Sequence, residues 1–232
     1  MRLILIRHGQ TPNNILSLLD TAAPGPGLTD LGHSQAEAVP AALAQEEVEG
    51  LYISNLTRTA LTAAPLANQR SLQPLVREGL REISAGTLEM KGDLPSVMAY
   101  LETVKAWLSG DLSARMPGAE TGFDVLERFD AVVDEAAASG AGTVAMVSHG
   151  AMIRFWAGYR ATNLDWSEAK YQELSNTGIV TLTGAPSGNA APGGWDILSW
   201  QGTPAGGVSG TDGPTAEPSA LQQYVSGGYE KS

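Results

Sequence analysis

Three histidines occur in the 232 residues, and two of them share one setting. His8 and His149 each close an apolar run, and each is followed by glycine (Leu3-Ile4-Leu5-Ile6-Arg7-His8-Gly9 and Val144-Ala145-Met146-Val147-Ser148-His149-Gly150). An imidazole is nucleophilic near neutral pH when one nitrogen is unprotonated and the other is held by an acceptor. Arg7 precedes His8, and Arg58 falls in the first turn of a predicted helix. A guanidinium at a helix start offers a planar, two-pronged donor suited to phosphate oxygens. Between these two arginines there is no lysine or arginine at all. Two imidazoles and two guanidinium groups are what a site for a tetrahedral anion needs. His33 follows Gly32 at a helix start without such company and reads as a surface residue.

These side chains require elements that bring them together. Leu3 to Ile6 is a short continuous apolar run, the pattern of a strand buried on both faces. Thr143 to Ser148 is a second, and Leu51 to Ser54 a third, with further strands expected at 75–77, 178–183 and 195–200. Helices are predicted over about 34–45, capped by Thr29 or Asp30, with Pro40 as a kink or early stop. Others are expected at 57–68, 96–108, 121–138 and 151–159. Alternating strands and helices imply an α/β, three-layer sandwich around a mostly parallel sheet. In such a sheet ligands bind outside the carboxyl ends of the strands, where His8 and His149 would face each other across one pocket. The glycine after each removes a side chain where the backbone turns and a ligand approaches.

Composition narrows the partners. A formal net charge of −11 argues against a nucleic-acid or anionic-membrane surface. The absence of cysteine excludes disulfides, thiolate zinc sites and a cysteine nucleophile. Four apolar residues at the start are too few for a signal-peptide core, and no stretch approaches the roughly 18 of a membrane span. A cytoplasmic location is the expectation. After Gln201 the composition shifts to Gly, Pro, Ser and Thr. That divides the chain into one domain over 1–201 and a Gly/Pro-rich tail over 202–232, of which 221–229 could dock back on the body. Trp107, Trp156, Trp166, Trp195 and Trp200 read as core or interface residues.

Several blocks, in order, resemble the histidine phosphatase superfamily, the phosphoglycerate-mutase-like proteins. They are Arg7-His8-Gly9-Gln10-Thr11 with Asn14, Leu28-Thr29 to Gln35-Ala36, and Ser54-Asn55-Leu56-Thr57-Arg58-Thr59-Ala60. Leu80-Arg81-Glu82 with Gly86 and Glu89, Pro117 to Thr121, and Ser148-His149-Gly150 complete the set. One tripeptide alone would be weak, whereas the ordered set, covering about 1–183, is specific. The resemblance implies His8 as the nucleophile that becomes phosphorylated. It implies Arg7, Arg58 and His149 as holders of the phosphoryl oxygens, with Asn14, Thr11, Gly9 and Gly150 at the substrate. Glu82 would protonate the leaving oxygen and then deprotonate water, although Glu78 and Glu89 lie near it in sequence. Met90 departs from the glycine that often follows the second glutamate in that family, which puts the local turn in question.

No metal or cofactor is implied, because arginines supply the charge that magnesium supplies elsewhere. Residues 15–27 carry no positive charge, and the helical cap region expected over about 86–121 has only Lys91, Lys105 and Arg115. The expected substrate is therefore a small phosphomonoester with a neutral or partly apolar body. A cofactor-dependent phosphoglycerate mutase and a non-catalytic phosphoryl-binding module are the alternatives, and a homodimer is compatible with either.

Overall fold

The computed structural model describes residues 1–164, 174–186 and 194–200. Strand β1 (Arg2–Arg7) leads through Thr11, the N-cap of a single turn α1 (Pro12–Ile15), to α2 (Asp30–Ala42), capped by the Thr29 side chain. There follow β2 (Gly50–Ile53), α3 (Thr57–Arg70), the two-residue β3 (Leu75–Val76), α4 (Leu94–Leu108) and α5 (Gly122–Ala138). The described part closes with β4 (Thr143–Ser148), α6 (Gly150–Arg160), β5 (Ile179–Gly184) and β6 (Trp195–Trp200).

The strands form one sheet in the order β3-β2-β4-β1-β5-β6. Strands β3, β2, β4 and β1 are parallel, while β5 runs antiparallel to both β1 and β6. Alternate residues of each strand feed opposite faces. Leu3, Leu5, Val144 and Met146 pack against α5 and α6 residues such as Phe129, Phe155 and Trp156. Ile4, Ile6, Ala145 and Val147 pack against Val39 of α2 and Leu66 of α3. Helices therefore cover both faces, and the fold is the expected three-layer α/β sandwich. Leu3 to Ile6 are fully buried, and such side chains stabilise a fold by about 1.5–3 kcal/mol each.

Two local features differ from the sequence pattern. Pro40 neither stops nor shortens α2 at its own position; the helix continues to Ala42, three residues short of the expected end. The missing N–H of a proline removes one helical hydrogen bond, and Pro40 sits buried in the last turn of the helix. The turn α1 was not foreseen. Thr11 and Asn14 make a reciprocal capping box around Pro12 at the first helical position.

The segment expected to act as a cap carries one α-helix, α4, after a single 3-10 turn at Gly86–Leu88. It sends Tyr100, Val104 and Trp107 into the same core as β1, β4 and α5. Trp107, Trp156 and Trp195 are buried, and Trp200 is partly buried against them. Trp166 and the tail 202–232 lie outside the described residues.

Candidate functional site

Register brings the two histidines together. Arg7 pairs with Ser148 and Ile53 with Val147, so β1, β4 and β2 end at one level and release His8, His149 and Ser54 side by side. The ring centroids of His8 and His149 are 5.2 Å apart at 60°. His8 Nδ1 lies 2.7 Å from the carbonyl oxygen of Gly9, which only accepts, so Nδ1 carries the proton and Nε2 the lone pair. Arg58, in the first turn of α3, points its Nε–H at both rings: 3.2 Å from His8 Nε2 and 3.3 Å from His149 Nδ1. His149 Nδ1 is thus an acceptor, and its Nε2–H donates to Ser54 Oγ at 2.8 Å. Ser54 is fixed in turn by Thr59 Oγ1 at 3.0 Å.

Burial sets the charge of this group. His8 and His149 are 3% and 0% exposed. Desolvation holds both imidazoles well below their ordinary range near 6.5, and the adjacent Arg58 charge pushes the same way. Arg7 adds to both effects, while the hydrogen bond from His8 to Gly9 opposes the shift at His8. Both rings are neutral at physiological pH. Burial also lowers Arg58 from its usual value, against the pull of Asp20, Glu82 and Glu89.

Arg7 turns under the start of α6. Its Nη1 donates to the Leu174 carbonyl oxygen at 2.6 Å, and a Cβ on Gly150 would fall 3.0 Å from its Nε. Gly150 is small because Arg7 passes it. Gly9 has a comparable reason, since a Cβ there would sit 2.6 Å from the Gly32 carbonyl oxygen. Its N–H donates to Thr62 Oγ1 at 2.9 Å. Protein atoms therefore approach both glycines closely.

Glu82 reaches the same end of the sheet. Its carboxylate accepts the N–H groups of Met152 and Ile83 at 2.9 Å each and of Ala151 at 3.3 Å, capping the helix that His149 begins. Arg128 holds the turn before it, donating to the carbonyl oxygens of Gly79 at 2.7 Å, Arg81 at 2.9 Å and Glu82 at 3.2 Å. Glu89 is committed elsewhere: it accepts from the Thr21 and Ala22 N–H groups at 2.9 and 3.0 Å and from the Thr21 hydroxyl. Glu78 is a surface residue paired with Arg81 at 3.3 Å. Asn14 and Thr11 are occupied first with capping α1, and Asn14 Oδ1 also accepts from Asn176 at 3.2 Å. His33 is exposed on α2.

Four contributors escaped the sequence reading: Asp20, Ser54 as the partner of His149, Asn176, and Arg128. Asn176 Nδ2 donates to the His8 carbonyl oxygen at 3.0 Å. Ser54 could have been singled out, since it ends a strand four residues before Arg58. Asp20, Asn176 and Arg128 carry no local signal. Among the described residues no group of three His, Cys, Asp and Glu side chains is arranged to hold a metal ion.

The model of the histidine phosphatase superfamily (branch 1) matches residues 3–200, and the chain belongs to that superfamily. The particular relatives differ in what they are named for. A PE-PGRS family protein, PE_PGRS11 of Mycobacterium tuberculosis, is 36% identical over 93% of this chain, which spans only 38% of that relative's length. A protein of Yersinia enterocolitica named "Probable phosphoglycerate mutase GpmB" is 27% identical over 65% of this chain and 70% of its own. Among solved structures, a mycobacterial glucosyl-3-phosphoglycerate phosphatase superposes with a TM-score of 0.68 at 25% identity, covering 87% of this chain and 99% of that one. No helix among the described residues is long and apolar enough to cross a membrane.

Proposed function

We propose that this chain is a phosphomonoesterase that works through a phosphohistidine on His8. The observation that carries the reading is one guanidinium donor shared by two neutral imidazoles, at 3.2 and 3.3 Å. A cationic donor that converges on the lone pairs of two buried imidazoles gathers in one place the donor and the nucleophile that a phosphoryl group requires.

In the proposed reaction the substrate phosphoryl group enters among His8, His149, Arg58 and Arg7. His8 Nε2 attacks phosphorus and the P–O bond to the alcohol breaks. Glu82 gives its proton to the leaving oxygen. With the alcohol gone, the Glu82 carboxylate takes a proton from water, whose oxygen attacks phosphorus and breaks the P–N bond. Inorganic phosphate leaves and His8 is restored. Phosphoryl transfer depends chiefly on position and on stabilising equatorial charge, which the arginines supply here without a metal ion.

The substrate body is proposed to be neutral or partly apolar, with residues 86–121 acting as a cap over it. Ile15, Leu16, Met90 and Leu94 are exposed, and the segments that follow α1 and precede α4 adjoin. Met90 N–H donates to the Leu19 carbonyl oxygen at 2.8 Å, and Leu19 N–H to that of Lys91 at 2.9 Å.

A mutase is the second reading, favoured by the name of the Yersinia relative. A panel of aryl phosphates, sugar phosphates, nucleotides and phosphoglycerates, each with and without a chelator, separates the two. Release of inorganic phosphate from apolar monoesters, unaffected by the chelator, is expected. Interconversion of phosphoglycerates that requires a bisphosphate primer would make the chain a mutase. No turnover of any monoester would leave only a phosphoryl-binding module.

A further inference from the structure

The loop after α1 returns to the pocket and leaves a carboxylate there. The Asp20 side chain is 9% exposed, and its Oδ2 lies 3.6 Å from Arg58 Nη1. Its carbonyl oxygen accepts from Arg58 Nη2 at 2.8 Å, and Asn13 Nδ2 donates to Oδ2 at 2.9 Å. Arg58 Nη1 is buried without a hydrogen-bond partner among the described residues. Among the described residues the end of the guanidinium that faces away from the histidines is therefore paired with Asp20, and Glu82 and Glu89 pull on it more weakly.

This carboxylate is held in position from several sides. Glu89 clamps the next two residues through Thr21 and Ala22, and Thr21 Oγ1 accepts from the Ala85 N–H at 3.0 Å. Gly25, with φ +65°, lets the chain close over the pair; a Cβ there would fall 2.5 Å from Arg58 Nη1 and 3.6 Å from Asp20 Oδ1. With both imidazoles neutral, the positive charge at the pocket comes from Arg58 and Arg7, with Arg128 further back, and Asp20 offsets the Arg58 share. A phosphoryl group can still be held by donors, but the Asp20 carboxylate is a fixed negative charge against a second anion beside it. Like charges brought together where little water screens them discriminate strongly between ligands.

Resting on the phosphomonoesterase reading of this pocket, we propose that Asp20 is a specificity-determining residue: a fixed carboxylate on Arg58 that discriminates against phosphomonoesters bearing a second anionic group close to the phosphate. A neutral or apolar body meets no such repulsion.

The test compares the native chain with Asp20→Asn, which keeps the size and the acceptor for Asn13 and removes the charge. For each, kcat/KM is measured on phenyl phosphate and on 3-phosphoglycerate. The ratio is expected to move at least tenfold toward 3-phosphoglycerate in the variant. An equal fall on both substrates would mean that Asp20 only orients Arg58, and would overturn the proposal. Calorimetric affinities for phenylphosphonate and phosphonoacetate read the same discrimination without turnover. If no monoester is hydrolysed, the phosphomonoesterase reading fails, while an unchanged phosphonate ratio would separately overturn the role of Asp20. Asp20→Ser serves the same comparison should the asparagine variant fail to fold.

Discussion

The floor and the rim of the pocket are built by different rules. The floor is three parallel strand ends in register, and its residues follow directly from that register: His8, His149 and Ser54 emerge where β1, β4 and β2 stop. The rim is made of two largely irregular segments, 16–25 and 82–92, tied to each other by long-range hydrogen bonds. It contains backbone that side chains rarely adopt, with Ser17 at φ 53° and Met90 at φ 59°. Strained backbone persists where its surroundings over-determine it, and such places cluster at sites of function. The floor thus sets what reaction is chemically open, and the rim sets which molecules can undergo it.

The comparison can be broken at three levels. The largest effect is expected from Glu82→Gln, which keeps a side chain at the α6 N-terminus and removes the proton carrier. For an alkyl phosphate kcat should fall by about 10²–10⁴-fold, the usual contribution of general acid–base catalysis. For an aryl phosphate with a good leaving group the loss in the first step should be much smaller. Equal losses for both would deny Glu82 its acid role and leave it as a helix cap.

A smaller effect concerns stability and belongs to the floor. In the folded chain His8 and His149 sit well below the ordinary value near 6.5, so below that pH the unfolded chain binds more protons than the folded one. Their neutral burial is therefore fully tolerated above pH 6.5 and becomes destabilising as pH falls through it. Each histidine contributes a slope of up to about 1.4 kcal/mol per pH unit. Urea melts between pH 7.5 and 5.5 should show this loss, and His8→Asn should remove about half of the histidine part. A slope that the variant leaves untouched would mean that His8 is charged in the folded state.

The smallest effect belongs to the rim. Met90→Gly relieves a left-handed residue and should raise stability by about 1 kcal/mol or less, since glycine also loosens the unfolded chain. A thermal melt checks it. A destabilised variant would show that the contact of Met90 Sδ with the Asn13 amide, at 3.9 Å, outweighs the backbone strain.

The same division explains what could be read in the sequence. Strands β1 and β4 announce themselves as apolar runs because they are buried on both faces, and the histidine and glycine that follow sit at fixed offsets from them. Arg58 is legible because it stands in the first turn of a helix that follows a strand. Asp20 is not legible, because its return to Arg58 depends on Glu89, 69 residues further on, gripping the Thr21 and Ala22 amides. Arg128 looks like any arginine on an amphipathic helix until the 79–82 turn packs over it. Gly9 and Gly150 are partly legible for a related reason. Both glycines do mark a close approach, but the approaching groups, Gly32 and Arg7, come from segments whose arrangement no local pattern encodes.

The covalent step is tested most directly by rapid acid and alkali quenching of the chain with a radiolabelled aryl phosphate, followed by mapping of the labelled peptide. The account predicts an adduct that survives alkali, is lost in acid, maps to the peptide containing His8 and is absent from His8→Ala. An acid-stable adduct, or one that persists in His8→Ala, would contradict it.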